Sequence, residues 1–228
     1  MNNRLIIPPW GIIDISVGFL LIVTGTILVK LFLLNDSLIL GDSDSLTITI
    51  ALFISSGLLV LVVISLTIFK YKCSLQLLGL TGGFNARHYW LALVILGGSL
   101  FANGIYFLIV STLDLEILIP TGIPIIIVGE GIYRIFNFFS LGVWGPFAEE
   151  IFFRGFILSG LTTKFGVSVA LVSSSLIFSL SHIAVSVIIP VFISGILLGI
   201  LYIKTRSIWP CLAAHGAQNI LALTFSVP

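Results

Sequence analysis

Charged residues are scarce in this chain, and that scarcity decides its class. Only 8% of its 228 residues are Asp, Glu, Lys or Arg, against about 25% in an average soluble domain. Hydrophobic residues make up 58%, and the mean hydropathy is +1.26. Because so few charges do not cover a water-facing surface, the sequence predicts an integral membrane protein in a lipid bilayer.

Cysteines and basic clusters are scarce as well. Cys73 and Cys211 are the two cysteines, and neither lies in a Cys-x-x-Cys or Cys/His ligand spacing. This pattern gives no support for a disulfide or a thiolate metal site. The net charge is +1 and no basic run occurs, which argues against a nucleic-acid partner. The sequence does not indicate an oligomeric state.

Long hydrophobic runs predict one all-α domain over residues 1–228, a polytopic bundle of about seven transmembrane helices. A spanning helix needs about 20 apolar residues. We predict spans over residues 10–34, 46–69 and 89–112, a helix ending near 164, two helices within 166–203 that are divided at Pro190, and a last span over 208–225. The mixed stretch 73–88 and the proline-containing stretch 117–128 are predicted to be interfacial or re-entrant.

The distribution of charge along the chain predicts its orientation. Lys and Arg mark the cytoplasmic side of a membrane. Arg4 and the basic turns at 70–72, 164 and 204–206 then lie inside, and the acidic loop 36–44 lies outside. Seven spans with the N-terminus inside and the C-terminus outside satisfy this pattern.

Most charges in or near the spans have a simple structural interpretation. Asp14 and Lys30 lie near the ends of the first span, where their side chains reach the interface. Glu130 and Arg134 are four residues apart, so on a helix they pair with each other.

Three polar groups in the C-terminal half resist that interpretation. In "EEIFFR" (149–154), Glu150 and Arg154 are spaced i, i+4 and predict an ion pair, which leaves Glu149 without a partner in its own turn. In "FSLSH" (178–182) and "HGAQN" (215–219) the first and last residues again share a helix face. Lipid does not solvate such groups, so we expect all three helices to direct them into one polar pocket. The candidate site residues are Glu149, Glu150, Arg154, His182, His215 and Asn219.

These three motifs, in this order, resemble the EExxxR, FxxxH and HxxxN motifs of the CPBP family, the CAAX proteases and bacteriocin-processing (Abi) proteins, which are similar to type II CAAX prenyl endopeptidases. The similarity covers about residues 140–222. It implies N-terminal spans over 1–116 and a protease core over 117–228, with the motifs within 147–219. It also implies an intramembrane endopeptidase that acts on a membrane-associated peptide or protein, in a bacterial or archaeal cell membrane.

The resemblance also implies a role for each residue. Glu149, with His182, activates the hydrolytic water, and His215 with Asn219 stabilises the oxyanion, while Glu150 and Arg154 support the site. Family members are also described as metalloproteases, and Glu149, His182 and His215 are a candidate zinc set. No His-Glu-x-x-His helix is present, and we favour a metal-free mechanism.

Two other functions fit the same residues. A non-catalytic bacteriocin-immunity or scaffold protein of this family would keep the pocket without the reaction. A transporter would use Glu149 and the histidines as a proton relay. Intact motifs favour catalysis over the first alternative. The lack of two related halves argues against the second.

Overall fold

The computed structural model describes residues 8–35, 44–82, 85–182 and 184–226. Every regular element in these ranges is a helix, which confirms the predicted all-α membrane bundle. The described residues do not include Arg4 or nearly all of the acidic loop 36–44, and they do not include the side chains of Lys30 and Asp44. The predicted orientation in the membrane therefore stays a prediction.

The chain forms nine α-helical segments in the described ranges. Two π-helical segments join three of them end to end, and a further π-helical turn, Ser65–Phe69, extends the second helix. The nine α-helical segments are α1 (Ile12–Asn35), α2 (Asp44–Ile64), α3 (Ala86–Thr112), α4 (Ile125–Val128), α5 (Gly131–Phe139), α6 (Gly145–Glu149), α7 (Ser159–Leu180), α8 (Val185–Thr205) and α9 (Ile208–Ser226). Ser140–Trp144, here called the first π turn, joins α5 to α6, and Glu150–Leu158, the second π segment, joins α6 to α7.

Five helical stretches are long and apolar enough to cross a membrane. One of them, Gly131–Leu180, has 50 residues and breaks at Gly166, whose φ of 76° is not helical. It therefore comprises two helices, and with α9 the described chain has seven long helices, the number predicted. Of the predicted interfacial stretches 73–88 and 117–128, residues 73–82 and 117–124 contain only short 3₁₀ turns, whereas 86–88 begin α3 and 125–128 form α4. Their position at the membrane interface stays a prediction.

The predicted helix break at Pro190 is wrong. Pro190 lies inside α8, and the chain turns instead at 181–182, before that helix begins. Proline has no backbone N–H, so a helix that contains it loses one hydrogen bond. Here Pro190 is only the sixth residue of α8, so the one carbonyl affected lies in the first turn, and the helix continues.

Asp14 lies in the first turn of α1, as predicted, but its carboxylate is buried in the protein instead of extending outward. It accepts hydrogen bonds from Gly11 N (3.0 Å), Lys70 Nζ (2.6 Å) and the Tyr71 hydroxyl (2.9 Å). The hydrogen bond to Asp14 raises the pKa of Lys70. This cluster ties the start of α1 to the end of the second span.

Glu130 and Arg134 do not form the predicted ion pair. Arg134 Nε donates to the carbonyl of Gly129 at 3.1 Å, while Glu130 is exposed at the start of α5. The i, i+4 spacing brings two side chains together only where both residues are helical, and Glu130 is in extended conformation.

The short segment 75–80 covers the start of α9. The carbonyl of Gly79 accepts from Ile208 N at 3.0 Å, and Leu80 O accepts from Trp209 Nε1 at 3.1 Å. The Trp209 ring stacks on Phe147 of α6, with centroids 5.9 Å apart. The first turn of α9 therefore lies beside α6, in the interior of the bundle.

Candidate active site

The second π segment carries a buried ion pair at the centre of the bundle. Arg154 Nη1 lies 3.1 Å from Glu150 Oε1, and the two side chains are 2% and 0% exposed. This contact confirms the pairing predicted from their spacing. Neither Nη atom of Arg154 makes an aligned hydrogen bond to any described residue. The interaction is therefore mainly coulombic.

The aromatic ring of Phe178 supports this pair from α7. The Arg154 guanidinium lies over that ring, 4.3 Å from its centroid, a cation–π contact. His182 and His215 lie edge-on against the same ring, at centroid distances of 5.0 and 5.8 Å. The predicted shared face of Phe178 and His182 is thus confirmed, and Phe178 connects all three motifs.

His215 of α9 bridges the two neighbouring carboxylates. Its Nδ1 lies 2.8 Å from Glu150 Oε1, and its Nε2 lies 3.6 Å from Glu149 Oε2. A carboxylate paired with a guanidinium accepts but does not donate, so Nδ1 carries the proton. Glu150 therefore fixes the orientation of the ring and leaves Nε2 directed toward Glu149.

Glu149 lies on the wall of a cavity of about 440 Å³. Side chains of α1, α2 and α4 line much of this cavity, and most of them are apolar. Glu149, Ser140 and Asn219 are polar groups on its other wall. The Glu149 side chain is 28% exposed, whereas Glu150 is fully buried. Of the two adjacent carboxylates, Glu149 is thus the accessible one.

Asn219 is anchored to the first π turn. Its Nδ2 donates to the carbonyl oxygen of Leu141 at 2.9 Å, across 78 residues of sequence. One turn away, Gly216 lies against the carbonyl of Gly142, and a Cβ on Gly216 would overlap that oxygen. The absence of side chains at these two glycines lets α9 approach closely enough for His215 and Asn219 to reach their partners.

We expect Gly216→Ala to push α9 away from the first π turn. The obstructing atom is a backbone oxygen, which cannot turn aside, and overpacking of this kind costs about 1–3 kcal/mol of unfolding free energy. The measurement is the melting temperature in detergent. Gly97→Ala is the matched control, because nothing lies within 4 Å of its new methyl group and the substitution favours the helix. Equal melting temperatures for the two variants would contradict this account.

His182 stands apart from the other five predicted residues. It is exposed in the turn after α7, and its Nδ1 lies 2.9 Å from the carbonyl of Phe178. No hydrogen bond or ion pair between His182 and Glu149 occurs within the described ranges. The prediction that it shares a point with Glu149 and His215 stays a prediction.

The candidate zinc set is not assembled in this structure. Within residues 8–35, 44–82, 85–182 and 184–226, no three His, Cys, Asp or Glu side chains are arranged to hold a metal ion. Of the three candidates, Glu149 and His215 are close together, while His182 lies beyond the Phe178 ring. The residues present therefore do not fit a three-ligand site, and no step below passes through a metal.

Sequence reasoning missed several groups of this site. Ser140 is fully buried, lines the cavity, and its hydroxyl has no hydrogen-bond partner among the described residues. Trp10, near the N-terminus, donates its indole N–H to the carbonyl of Phe156 in the second π segment at 2.9 Å. Neither residue belongs to a motif, so only the packing of the helices against one another identifies them.

Comparison with known proteins agrees with the motifs. Residues 131–221, from the start of α5 into α9, match a family model described as Type II CAAX prenyl endopeptidase Rce1-like. This match contains all six candidate residues and confirms the resemblance to the CPBP family. No curated protein and no solved structure matches the chain. The family match, with the membrane-spanning helices, supports an integral membrane protein with an endopeptidase kind of function.

Proposed function

We propose that this chain, whose residues 131–221 match the type II CAAX prenyl endopeptidase family, is an intramembrane endopeptidase in which Glu149 activates the hydrolytic water. The observation that carries the proposal is the pairing of an accessible carboxylate with a positioned imidazole. Glu149 lines the cavity, and His215 Nε2 lies 3.6 Å from its Oε2. Such a carboxylate suits a general base.

The reaction follows from these positions. Glu149 accepts a proton from water as the water oxygen attacks the carbonyl carbon of the scissile peptide bond. The tetrahedral intermediate then collapses, the C–N bond breaks, and the leaving nitrogen takes the proton from Glu149. One water is consumed, and a carboxylic acid and an amine are formed, which ionise at neutral pH to a carboxylate and an ammonium group.

Two further residues are placed to stabilise the developing negative charge. Asn219 lines the same cavity as Glu149 and donates one amide N–H to Leu141 O, which leaves a second N–H for the oxyanion. His215 contributes through Nε2 when that atom carries a proton. Preorganised donors of this kind contribute more in a water-poor site than in bulk water. The role of His182 in orienting the water rests on the family resemblance.

The cavity fits a substrate that is itself associated with the membrane. Five of the eight residues of α1 and α2 that line it are apolar, and Glu149 lines it from α6. A peptide segment next to a membrane anchor would present its backbone to Glu149 from such an environment. The matching family model is described as a CAAX prenyl endopeptidase, and we propose a membrane-anchored peptide or protein as the substrate class.

The test is peptide cleavage by the purified protein in detergent. A panel of peptides with and without a C-terminal lipid anchor is incubated with wild type and with Glu149→Ala, and the products are mapped by mass spectrometry. We expect one defined cut with wild type and none with the variant. Cleavage that persists in Glu149→Ala, or no cleavage of any anchored peptide by wild type, would contradict the proposal.

A further inference from the structure

The backbone hydrogen bonds of the first π turn leave one carbonyl without a donor from its own helix. Gly145 N–H donates to Ser140 O, five residues earlier. The next carbonyl, Leu141 O, would accept from residue 145 in an α-helix or from residue 146 in a π-helix. The first donor is already engaged, and residue 146 is proline, which has no N–H.

That carbonyl is the one that holds Asn219. Asn219 Nδ2 donates to Leu141 O at 2.9 Å. In the interior of a helix bundle an unpaired carbonyl is costly unless another donor satisfies it. The Asn219 side chain of α9 thus donates the hydrogen bond that Pro146, which has no N–H, does not provide.

The neighbouring carbonyl shows the same relation to Pro146. Gly142 lies four residues before Pro146, so in an α-helical register its carbonyl would also depend on the missing N–H. This oxygen faces Gly216 of α9, at a distance that leaves no room for a side chain. Pro146 withholds one N–H from this pair of consecutive carbonyls, and both of them, Leu141 O and Gly142 O, form the surface on which α9 docks.

We propose that Pro146 is a positioning residue that acts through Asn219. By denying Leu141 O a backbone donor, it reserves that oxygen for the Asn219 amide and holds the amide on the cavity wall beside Glu149. Where catalysis is the readout, this inference rests on the proposed function. If Pro146 only began or bent a helix, replacing it would have the same effect whether or not Asn219 is present.

The kinetic test is a double-mutant cycle on kcat and KM for peptide cleavage. Pro146→Ala restores an N–H that competes for Leu141 O, so we expect kcat to fall about tenfold with KM unchanged, less than the roughly 10²–10³-fold that follows removal of an oxyanion donor. In an Asn219→Ala background, Pro146→Ala should cause no further loss, since its effect passes through that amide. Equal losses in both backgrounds would overturn the proposal, as would an unchanged kcat in Pro146→Ala.

Pro190→Ala is the matched control. Pro190 is also a buried proline inside a helix, but it does not line the cavity that contains Glu149. Its substitution should leave kcat within twofold of wild type. A loss as large as that of Pro146→Ala would show a general response to helix straightening, against the proposal.

A thermal unfolding cycle tests the same hydrogen bond without any activity. Asn219→Ala should lower the melting temperature in the wild-type background, because Leu141 O is left unpaired. It should lower it much less in the Pro146→Ala background, where the alanine N–H takes that oxygen. Identical shifts in the two backgrounds would overturn the inference.

Loss of folding in both Pro146→Ala and Pro146→Ser would also overturn it, because restoring a helical N–H should not remove stability. If wild type folds but cleaves nothing, the proposed function fails while this cycle still decides the role of Pro146.

Discussion

Replacing Glu149 with glutamine is expected to slow peptide cleavage by about 10²–10⁴-fold, the usual contribution of a general base, while leaving the melting temperature close to that of wild type. The amide keeps the shape of the side chain but does not accept the proton of the attacking water. The melting temperature should change little because Glu149 is partly exposed, and the contact of its Oε2 with His215 Nε2 is long, at 3.6 Å. The measurements are kcat and thermal unfolding of the same detergent preparation.

The matched control is the same substitution one residue later. Glu150→Gln removes a carboxylate that is fully buried between Arg154 and His215. It leaves the guanidinium without its counter-charge, and breaking a buried pair in this way costs about 3–5 kcal/mol. We therefore expect Glu150→Gln to lose stability first and activity as a consequence. If Glu149→Gln retained kcat within about threefold of wild type, Glu149 would not be the base.

Replacing Arg154 with alanine breaks the same buried pair and is expected to cost about 3–5 kcal/mol of unfolding free energy. The substitution leaves the Glu150 carboxylate in the bundle interior with His215 as its remaining partner. It also removes the cation that lies over the Phe178 ring. Activity should fall together with the folded fraction, because the orientation of His215 depends on Glu150. Thermal unfolding in detergent, followed beside cleavage of the same peptide, measures both effects.

The double substitution Glu150→Gln/Arg154→Met distinguishes electrostatic support from chemistry. It removes both charges together, keeps an oxygen that accepts from His215 Nδ1, and fills the space over Phe178 with a methionine side chain. We expect it to recover most of the stability that Arg154→Ala loses. A stable but inactive Arg154→Ala protein would instead place Arg154 in the reaction.

The sequence by itself determined the class of the protein and the contacts made within single helices. The scarcity of charge predicted a membrane protein, and the long apolar runs predicted helices, because a spanning helix needs about 20 apolar residues and closes its backbone hydrogen bonds within one segment. Spacing of four residues predicted the Glu150–Arg154 pair and the contact between Phe178 and His182, and both are present. The same rule failed at Glu130, where the backbone is not helical.

Only the tertiary structure decided which helices meet and at what depth. In the sequence His215 lies nine residues after Arg206 and Glu149 lies 15 residues before Lys164, a difference in depth of about 10 Å at 1.5 Å per residue. In the fold the first turn of α9 lies beside Phe147, so His215 reaches both carboxylates.

The contacts at the helix interfaces were also not predictable from the sequence. The hydrogen bond from Asn219 to Leu141 depends on a carbonyl that a π turn and Pro146 leave free, and the exposure of His182 depends on where α7 ends. Residue spacing fixes the angle between side chains on one helix. It does not encode the rotation and offset of one helix against another, which close packing between helices sets.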